Sequence, residues 1–398
     1  MTRPFRRRIL YIPGFDPIPP RRYRELYKRE GAEQARISGY GLEFGSRRDR
    51  KGFGWGVSGD FGTQRTEAEI EVLVWADIVQ GSMGQSIPAT YAQLARTAWA
   101  YIGSGALLRL MRLRRGPVIA ALYPVAVLLV QLLIAMAAGW GIGAALGWLT
   151  GLGWWIGLPV MLGVTWAGLT LWRRLDGRIF AYYLMHDYAF TAQHQGAYPP
   201  ALEARLAQFT DRIAEVLADG WDEVLVVGHS SGAYLGVSVL ADLIRAGRVP
   251  EGAALSFLTL GHVVPMASFL PCANRLRADL RDLSARPELD WVDVSAPGDA
   301  CSFGLCDPVT ISGIEPADRR QPLILSAAFT RTLSPEKQRE LRGRWFRLHF
   351  QYLCAFDRPG DYDYFAITAG PVPLGQRFAG RPHSPGRIAR AVNKWTAT

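Results

Sequence analysis

The sequence predicts an α/β protein with a mostly parallel sheet flanked by helices, interrupted by a two-helix transmembrane insertion. Short apolar runs typical of strands alternate with segments of helical spacing, which favours parallel strands joined by helices. One apolar run, 223–228, passes through a glycine-flanked serine directly into a helical segment. The stretch 116–172 contains no charged residue, which predicts the insertion.

The composition indicates a large apolar core and a lipid surface as partner. The chain has 398 residues, 49% of them hydrophobic, which allows either one enlarged α/β domain or several domains. The net charge of +10 comes largely from arginines that lie beside apolar sequence, not with aromatic residues on one helix. This pattern predicts the lipid bilayer as a partner and no nucleic acid.

The sequence predicts no cofactor, no metal centre and no disulfide framework. The four cysteines are expected to be reduced, and the spacing of Cys301 and Cys306 fits no common zinc site. The sequence contains neither a Walker A motif nor a dinucleotide fingerprint. The basic N-terminus is not followed by a secretory apolar core, so we expect no cleavable signal peptide and a cytoplasmic catalytic part.

Residues 1–115 are predicted to form the N-terminal part of the α/β domain. An apolar run that starts at Arg8 and ends in a turn at Pro13 and Gly14 is typical of a short buried strand. The other predicted elements of this part are a helix at 20–36, a hairpin or loop at 39–62, a strand at 69–77 and a helical segment at 88–115 that leads into the membrane.

The chargeless stretch 116–172 is predicted to be a transmembrane helical hairpin. Because a crossing needs about 20 apolar residues, the stretch holds two crossings, at about 117–138 and 152–172. The glycine-rich segment 139–151 between them is interpreted as the connection. Glycines at every fourth position of that segment favour a close approach of the two helices.

Arginines on both sides of the insertion predict its orientation. They are Arg109, Arg112, Arg114 and Arg115 before it and Arg173, Arg174 and Arg178 after it. By the positive-inside tendency both ends are cytoplasmic, which predicts a multi-pass protein with a cytoplasmic catalytic domain, in the inner membrane if the source is bacterial. Two crossings also keep both parts of a shared active site on one side. A re-entrant or monotopic hairpin and a buried globular hairpin are the alternatives.

Residues 173–398 are predicted to form the C-terminal part of the same domain. Apolar runs of strand length again alternate with segments of helical spacing. The predicted elements are helices at 175–194 and 199–219 and strands at 223–228, 254–261, 289–295 and 322–329.

The motif Gly-His-Ser-Ser-Gly at 228–232 predicts a nucleophilic serine. Glycines at its ends permit a strained turn between a strand and a helix, which exposes the hydroxyl of Ser230. The N-terminus of the following helix favours negative charge that develops beside this hydroxyl. The alternative is a structural turn without chemistry.

With this motif the chain resembles the α/β-hydrolase superfamily, particularly its serine esterases and lipases. The resemblance also rests on the early strand that ends in Pro13, Gly14 and Phe15, and on the strand followed by Asp299. It implies an α/β-hydrolase-like sheet. The resemblance covers 8–16, 66–77 and about 200–355, and leaves the insertion and roughly the last forty residues outside the family pattern.

The resemblance implies a Ser-His-Asp triad with the chain order serine, acid, histidine. Of the six histidines only His349 and His383 follow both other members. His349 is favoured because its aromatic neighbours can fix the ring and exclude water, and His383 is the alternate. Asp299 is the favoured acid because it lies in a turn after a predicted strand, and Asp307 is the alternate. Asp293 lies within the strand and is less able to reach.

The oxyanion hole is predicted to use two main-chain N–H groups. One belongs to Ser231, directly after the nucleophile, and the other to Phe15, in the turn after the first strand. Gly14 gives room for a close approach of the backbone. Other polar side chains that could line the site are Asp16, Asp77, His186 and Asp187.

The sequence therefore predicts a membrane-anchored, lipase-like serine hydrolase that cleaves carboxylic esters through an acyl-enzyme. Anchoring beside the bilayer favours a lipid-like or amphiphilic ester over other small-molecule esters. The main alternative is a non-catalytic membrane scaffold that keeps the hydrolase fold to bind protein partners. A transporter component is disfavoured because the two crossings carry no charge.

Overall fold

The computed structural model describes residues 3–49, 51–84 and 86–398, which form an α/β fold around one sheet. In the described part of the chain the sheet has eight strands. They are β1 (Phe5–Ile12), β2 (Gly41–Gly45), β3 (Phe53–Asp60), β4 (Arg65–Val72), β5 (Glu223–His229), β6 (Leu255–Leu260), β7 (Leu289–Ser295) and β8 (Leu323–Ser326).

Strand β1 lies inside the sheet, between β4 and β5. The strand order is β2-β3-β4-β1-β5-β6-β7-β8, and the strands from β4 to β8 are parallel neighbours. At one edge, β2 pairs with β3 and β3 with β4 in antiparallel fashion. The prediction of a mostly parallel sheet is confirmed. Because β1 precedes the apolar stretch and β5 follows it, the segments on either side of the insertion build one sheet.

Helices cover both faces of the sheet. They are α1 (Arg21–Ser38), α2 (Ala76–Met83), α3 (Ile87–Gly103), α4 (Ala106–Leu113), α5 (Arg115–Thr150), α6 (Trp154–Arg174), α7 (Asp176–Ile179), α8 (Ala181–Ala192), α9 (Pro200–Ala218), α10 (Ser231–Arg245), α11 (Val264–Ser268), α12 (Asn274–Ala285), α13 (Pro308–Ile311), α14 (Phe329–Thr332), α15 (Pro335–Leu341), α16 (Trp345–His349), α17 (Tyr364–Thr368) and α18 (Leu374–Arg377), with a 3-10 helix at Phe350–Leu353.

Alternate residues of β1 are buried on opposite faces of the sheet. Leu10 and Ile12 belong to the core that the sheet shares with α9, α10 and α12. Ile9 and Tyr11 belong to a second core, which includes Tyr27 of α1 and much of the C-terminal segment. A central parallel strand buried on both faces reads as a continuous apolar run, which is why this strand was recognisable in the sequence.

One predicted strand is displaced along the chain. The strand predicted at 69–77 is β4, which ends at Val72 and is followed by α2. Beyond Val72 one further hydrogen bond joins β4 to β1, from the N–H of Leu73 to the carbonyl oxygen of Tyr11 at 2.9 Å. Leu73 and Trp75 are buried, and the indole nitrogen of Trp75 donates to the carbonyl oxygen of Pro13. Periodicity reports burial, and a buried loop has the same apolar signal as the end of a strand.

The insertion consists of the two apolar helices α5 and α6, which pack against each other. Both are long and apolar enough to cross a membrane, by length and composition. The first helix is longer than the predicted 117–138, because it continues through the glycine-rich segment to Thr150. The expectation that 139–151 forms the connection is therefore wrong. The chain turns at 151–153, where Gly151 and Gly153 have φ angles of 70° and 56°.

The glycine stripe has the packing role that its four-residue spacing predicted. A Cβ atom on Gly139 would lie 2.5 Å from the carbonyl oxygen of Met161 on α6. A Cβ on Gly143 would overlap the carbonyl oxygen of Gly157 in the same way. These glycines thus let α5 and α6 approach at backbone distance, as small residues do between apolar helices.

Candidate active site

Ser230 occupies a strained turn between β5 and α10. Its φ of 57° and ψ of −118° lie in a region that non-glycine residues rarely adopt. The flanking glycines make this turn sterically possible, since a Cβ on Gly228 would lie 2.5 Å from the carbonyl oxygen of Gly232. A Cβ on Gly232 would in turn overlap the carbonyl oxygen of Ile12 at the end of β1. The serine is therefore held where β1, β5 and α10 meet.

His349 and Asp299 form a buried hydrogen-bonded pair. Nδ1 of His349, the last residue of α16, lies 2.8 Å from Oδ2 of Asp299, in the loop after β7. The hydroxyl of Tyr352 donates to the same oxygen at 3.0 Å, and the N–H of Cys301 donates to Oδ1 at 2.9 Å. The carboxylate accepts only, so Nδ1 of His349 carries a proton and Nε2 is the other ring nitrogen.

The surroundings of Asp299 favour its charged form. Burial acts to raise the pKa of this carboxyl, but the attraction of the His349 ring and the hydrogen bonds from His349 and Cys301 outweigh it. The pKa of Asp299 is therefore below its ordinary value. An ionised carboxylate at this point is suited to stabilise an imidazolium.

Ser230 and His349 line one cavity of about 910 Å³, together with Phe15 and Ser231. The turn after β1 reaches the serine, because a Cβ on Gly14 would lie 3.4 Å from Ser230 Oγ. Within residues 3–49, 51–84 and 86–398, no hydrogen bond joins Ser230 Oγ to His349. The three predicted triad members thus belong to one site, with the serine–histidine hydrogen bond not formed.

His229 is a site residue that the sequence reasoning missed. Its Nε2 lies 3.0 Å from the carbonyl oxygen of His349, and the two imidazole rings are 4.7 Å apart. Burial lowers the pKa of His229 to about 3, so the ring is neutral and donates its Nε2 proton to that carbonyl. His229 therefore fixes the backbone of His349. In the sequence it occupied a variable position of the Gly-x-Ser-x-Gly motif, and no signal distinguished it.

The alternate triad residues lie elsewhere. Nδ1 of His383 accepts from the N–H of Ile324 at 3.0 Å, beside the strand β8. Asp307 caps the N-terminus of α13, where it accepts from the N–H of Val309 at 3.2 Å, and it pairs with Arg319 at 2.5 Å. Neither His383 nor Asp307 lines the cavity of Ser230. Of the two candidate pairs, the structure brings Asp299 and His349 to the serine.

Asp293 does not line the cavity of Ser230 either. It is fully buried within β7 and accepts from the hydroxyl of Thr259 at 2.6 Å. The lower rank that the sequence gave to this residue agrees with its position inside the strand.

Of the four polar residues expected near the site, two line the cavity and two do not. Asp16 and Asp187 line the cavity. Asp77 does not line the cavity, and its carboxylate forms an ion pair with Arg205 at 2.7 Å. Nδ1 of His186 lies 2.9 Å from the side-chain oxygen of Gln93. Although His186 and Asp187 are adjacent in sequence, only the carboxyl contributes to the cavity.

The cavity adjoins the base of the apolar helices. Pro117, near the start of α5, and Gly177, just after α6, both line it. Aromatic side chains of Phe180, Tyr183 and Phe346 form another part of the lining, with ring centroids 5.6 to 6.3 Å apart. The serine therefore lies in a partly aromatic cavity that extends to the insertion.

No protein-family model, curated protein or solved structure matches this chain. The resemblance to the α/β-hydrolase superfamily accordingly stays a prediction from the motifs. What the site does must be inferred from the arrangement of Ser230, His349, Asp299 and the cavity around them.

Proposed function

We propose that this chain is a serine hydrolase of the α/β-hydrolase type that cleaves carboxylic esters. One observation carries the proposal: Ser230, strained at the end of a buried strand, lines the same cavity as a histidine whose Nδ1 is 2.8 Å from a buried aspartate. A hydroxyl, a general base and an orienting carboxylate are the groups that nucleophilic acyl transfer requires. Their chain order, serine then aspartate then histidine, is the order of that superfamily.

In the proposed reaction, Ser230 Oγ attacks the ester carbonyl while His349 Nε2 accepts the hydroxyl proton. Asp299 stabilises the resulting imidazolium through its hydrogen bond to Nδ1. His349 then donates the proton to the leaving alcohol, which leaves an acyl group on Ser230. Water, deprotonated by His349, attacks the acyl carbon. The bond from that carbon to Ser230 Oγ then breaks, His349 returns the proton to Oγ, and the acid is released. Hydrogen bonds of this kind are often unformed before substrate binds.

Two main-chain N–H groups are suited to stabilise the tetrahedral intermediate. Ser231 is the first residue of α10, where N–H groups have no acceptor within the helix. Phe15 follows Gly14, which closely approaches the serine. Within the described residues, neither N–H donates a hydrogen bond elsewhere. Each such donor stabilises a developing oxyanion by about 3 kcal/mol.

We further propose that the substrate is a lipid-like or amphiphilic ester. The cavity is lined at one part by Pro117, in the first turn of α5, and by Gly177, just after α6. If those helices cross the bilayer, the cavity lies next to the lipid surface, where an amphiphilic ester can enter without crossing water. The arginines on either side of the helices favour two crossings with the sheet domain in the cytoplasm.

The nucleophile is tested by labelling with a fluorophosphonate probe. The wild type should be labelled and should hydrolyse short-chain esters, and Ser230→Ala should do neither. Ser58→Ala is the matched control, because Ser58 is exposed on β3 and does not line the cavity. Labelling that persists in Ser230→Ala would exclude Ser230 as the nucleophile.

The orientation is tested with the exposed thiol of Cys272. A membrane-impermeant maleimide should label Cys272 in inside-out vesicles and leave it unlabelled in right-side-out ones. Cys272→Ser corrects for the other thiols. Labelling of Cys272 in right-side-out vesicles would show that the proposed orientation is wrong.

The second candidate function is a non-catalytic membrane scaffold. The missing hydrogen bond between Ser230 Oγ and His349 favours it, because a scaffold has no need of a paired serine. Folded wild-type protein that neither reacts with the fluorophosphonate nor cleaves any ester would support the scaffold and reject the hydrolase.

A further inference from the structure

One carboxyl of the cavity differs from the others in having no partner. Most charged side chains of the lining are neutralised locally, as Asp16 is by Arg22 at 3.1 Å. Glu25 pairs in the same way with Arg24 at 2.8 Å. The carboxyl of Asp187 has neither a hydrogen bond nor an ion pair within the described chain. A group left unpaired in a lined cavity is available to a ligand.

The position of Asp187 places this charge near the reacting groups. It lies on α8, one turn after Tyr183 and therefore on the same face of the helix. Burial raises the pKa of Asp187 to about 7, although the nearby His349 ring lowers it in part. Apart from His349, the groups that Asp187 influences around it, including Tyr188 and Cys301, carry no positive charge. Above neutral pH the cavity therefore contains an uncompensated carboxylate.

Three aromatic rings line the same cavity as this carboxyl, and Asp187 is close enough to Tyr183 to raise the pKa of its hydroxyl. Phe180 precedes α8, and its ring centroid is 6.3 Å from that of Tyr183. The ring of Phe346 lies 5.6 Å from Phe180 and 6.1 Å from Tyr183. All three residues line the cavity. The faces of aromatic rings attract cations, most strongly where water is excluded.

We propose that Asp187 and the rings of Phe180, Tyr183 and Phe346 form a subsite for a substituted ammonium group of the substrate. For an ester substrate this assignment rests on the proposed hydrolase function. The lining holds five carboxyl and four basic side chains, so the cavity has one net negative charge when Asp187 is ionised. A cation gains both a charge partner and aromatic contacts here. An anion would meet an unscreened carboxylate, and a neutral group would leave it unpaired.

The subsite is tested by binding, independently of catalysis. The full chain is purified in a maltoside detergent and an amine-free buffer at about pH 8, where Asp187 is ionised. Choline should bind, and its neutral isostere 3,3-dimethylbutan-1-ol should bind about tenfold more weakly or not at all. Equal binding of the two by the wild type would overturn the proposal, whatever the variants do.

Two variants test whether the preference for choline over its neutral isostere depends on the Asp187 carboxyl. Asp187→Asn should weaken choline binding by about tenfold and leave the binding of the neutral isostere unchanged. Glu25→Gln removes the same charge from a lining residue that is already paired, and should leave choline binding unchanged. If Glu25→Gln weakened choline binding as much as Asp187→Asn, the net charge of the cavity would explain the binding, and the subsite would be rejected.

Rates of ester hydrolysis then distinguish a failure of the subsite from a failure of the proposed hydrolase function. Acetylcholine and 3,3-dimethylbutyl acetate have the same acyl group and nearly the same shape. The contribution of the triad therefore cancels in the ratio of their kcat/KM values. The ratio should favour the cation in wild type and fall about tenfold in Asp187→Asn. Hydrolysis of both esters at one rate would overturn the subsite and keep the hydrolase. Choline binding without hydrolysis of either ester would keep the subsite and reject the hydrolase.

Discussion

Gly14 and Ser230 are close neighbours in space, although the apolar helices separate them along the chain. A Cβ atom on Gly14 would lie 3.0 Å from the Cβ of Ser230. The turn after β1 and the turn after β5 thus meet because their strands pair in parallel, with Ile12 opposite Gly228. Phe15, which follows Gly14 and is the second donor of the proposed oxyanion hole, lines the same cavity as the serine.

Gly14→Val is expected to reduce kcat/KM for esters by about tenfold or more, because its side chain would push Ser230 or the proposed oxyanion donor away. Gly45→Ala is the control, since a Cβ there meets nothing within 4 Å. Ester kinetics with the melting temperature as a folding check measure the effect. A Gly14→Val enzyme with wild-type kinetics would show that this approach is not required.

Asp299→Asn should lower kcat by about a thousandfold or more, because an amide cannot stabilise the imidazolium of His349. The fold should stay intact. Asp77→Asn, which changes a carboxyl outside the cavity, is the control. Steady-state kinetics on a short-chain ester provide the measurement. A loss smaller than about tenfold would remove Asp299 from the proposed triad.

Tyr352→Phe tests a positioning role. The Tyr352 hydroxyl donates to Asp299 and accepts from the N–H of Ala296, each at 3.0 Å. Its removal takes a hydrogen bond from the carboxylate, which raises the pKa of Asp299, and activity should be lost at a higher pH on the acidic side of the profile. Lower stability with an unchanged pH profile would indicate a purely structural tyrosine.

Gly143→Leu should destabilise the pair of apolar helices, because its side chain would meet the backbone of Gly157 on α6. Gly141→Leu is a matched control on the same helix, since a Cβ on Gly141 meets nothing within 4 Å. We expect a lower melting temperature in detergent for the first variant only. Equal effects of the two leucines would contradict close packing of α5 and α6 at Gly143.

Asp187→Asn should stabilise the protein at alkaline pH. The pKa of Asp187 is raised from 3.8 to about 7 by burial, so the native state holds this proton more tightly than the unfolded chain. Wild-type stability therefore falls as the pH rises from the lower value through the higher one. The gain in melting temperature over wild type should be largest above about pH 7 and absent near about pH 4. A gain that is independent of pH would contradict this account of Asp187.

Sequence patterns determined the elements that carry the proposed chemistry. The glycine-flanked serine, the histidine in an aromatic segment and the aspartate after a strand were each recognisable from local sequence. Strands buried on both faces gave continuous apolar runs, which is why β1, β5, β6 and β7 were predicted within a few residues. The signal failed where burial and pairing differ, as at the end of β4, and where a glycine-rich segment continues a helix, as α5 does to Thr150. The four-residue spacing of those glycines nevertheless predicted the close approach of α5 and α6 correctly.

The sequence by itself determined the α/β class, the apolar insertion and the residues from which a triad could be chosen. Only the tertiary structure decided among them, by joining His349 to Asp299 and leaving His383 beside β8. It also decided the role of His229 and the isolation of Asp187. The physical reason is that a hydrogen bond, an ion pair or a missing partner depends on residues from distant segments, and their distances are set by the packing of the sheet and helices.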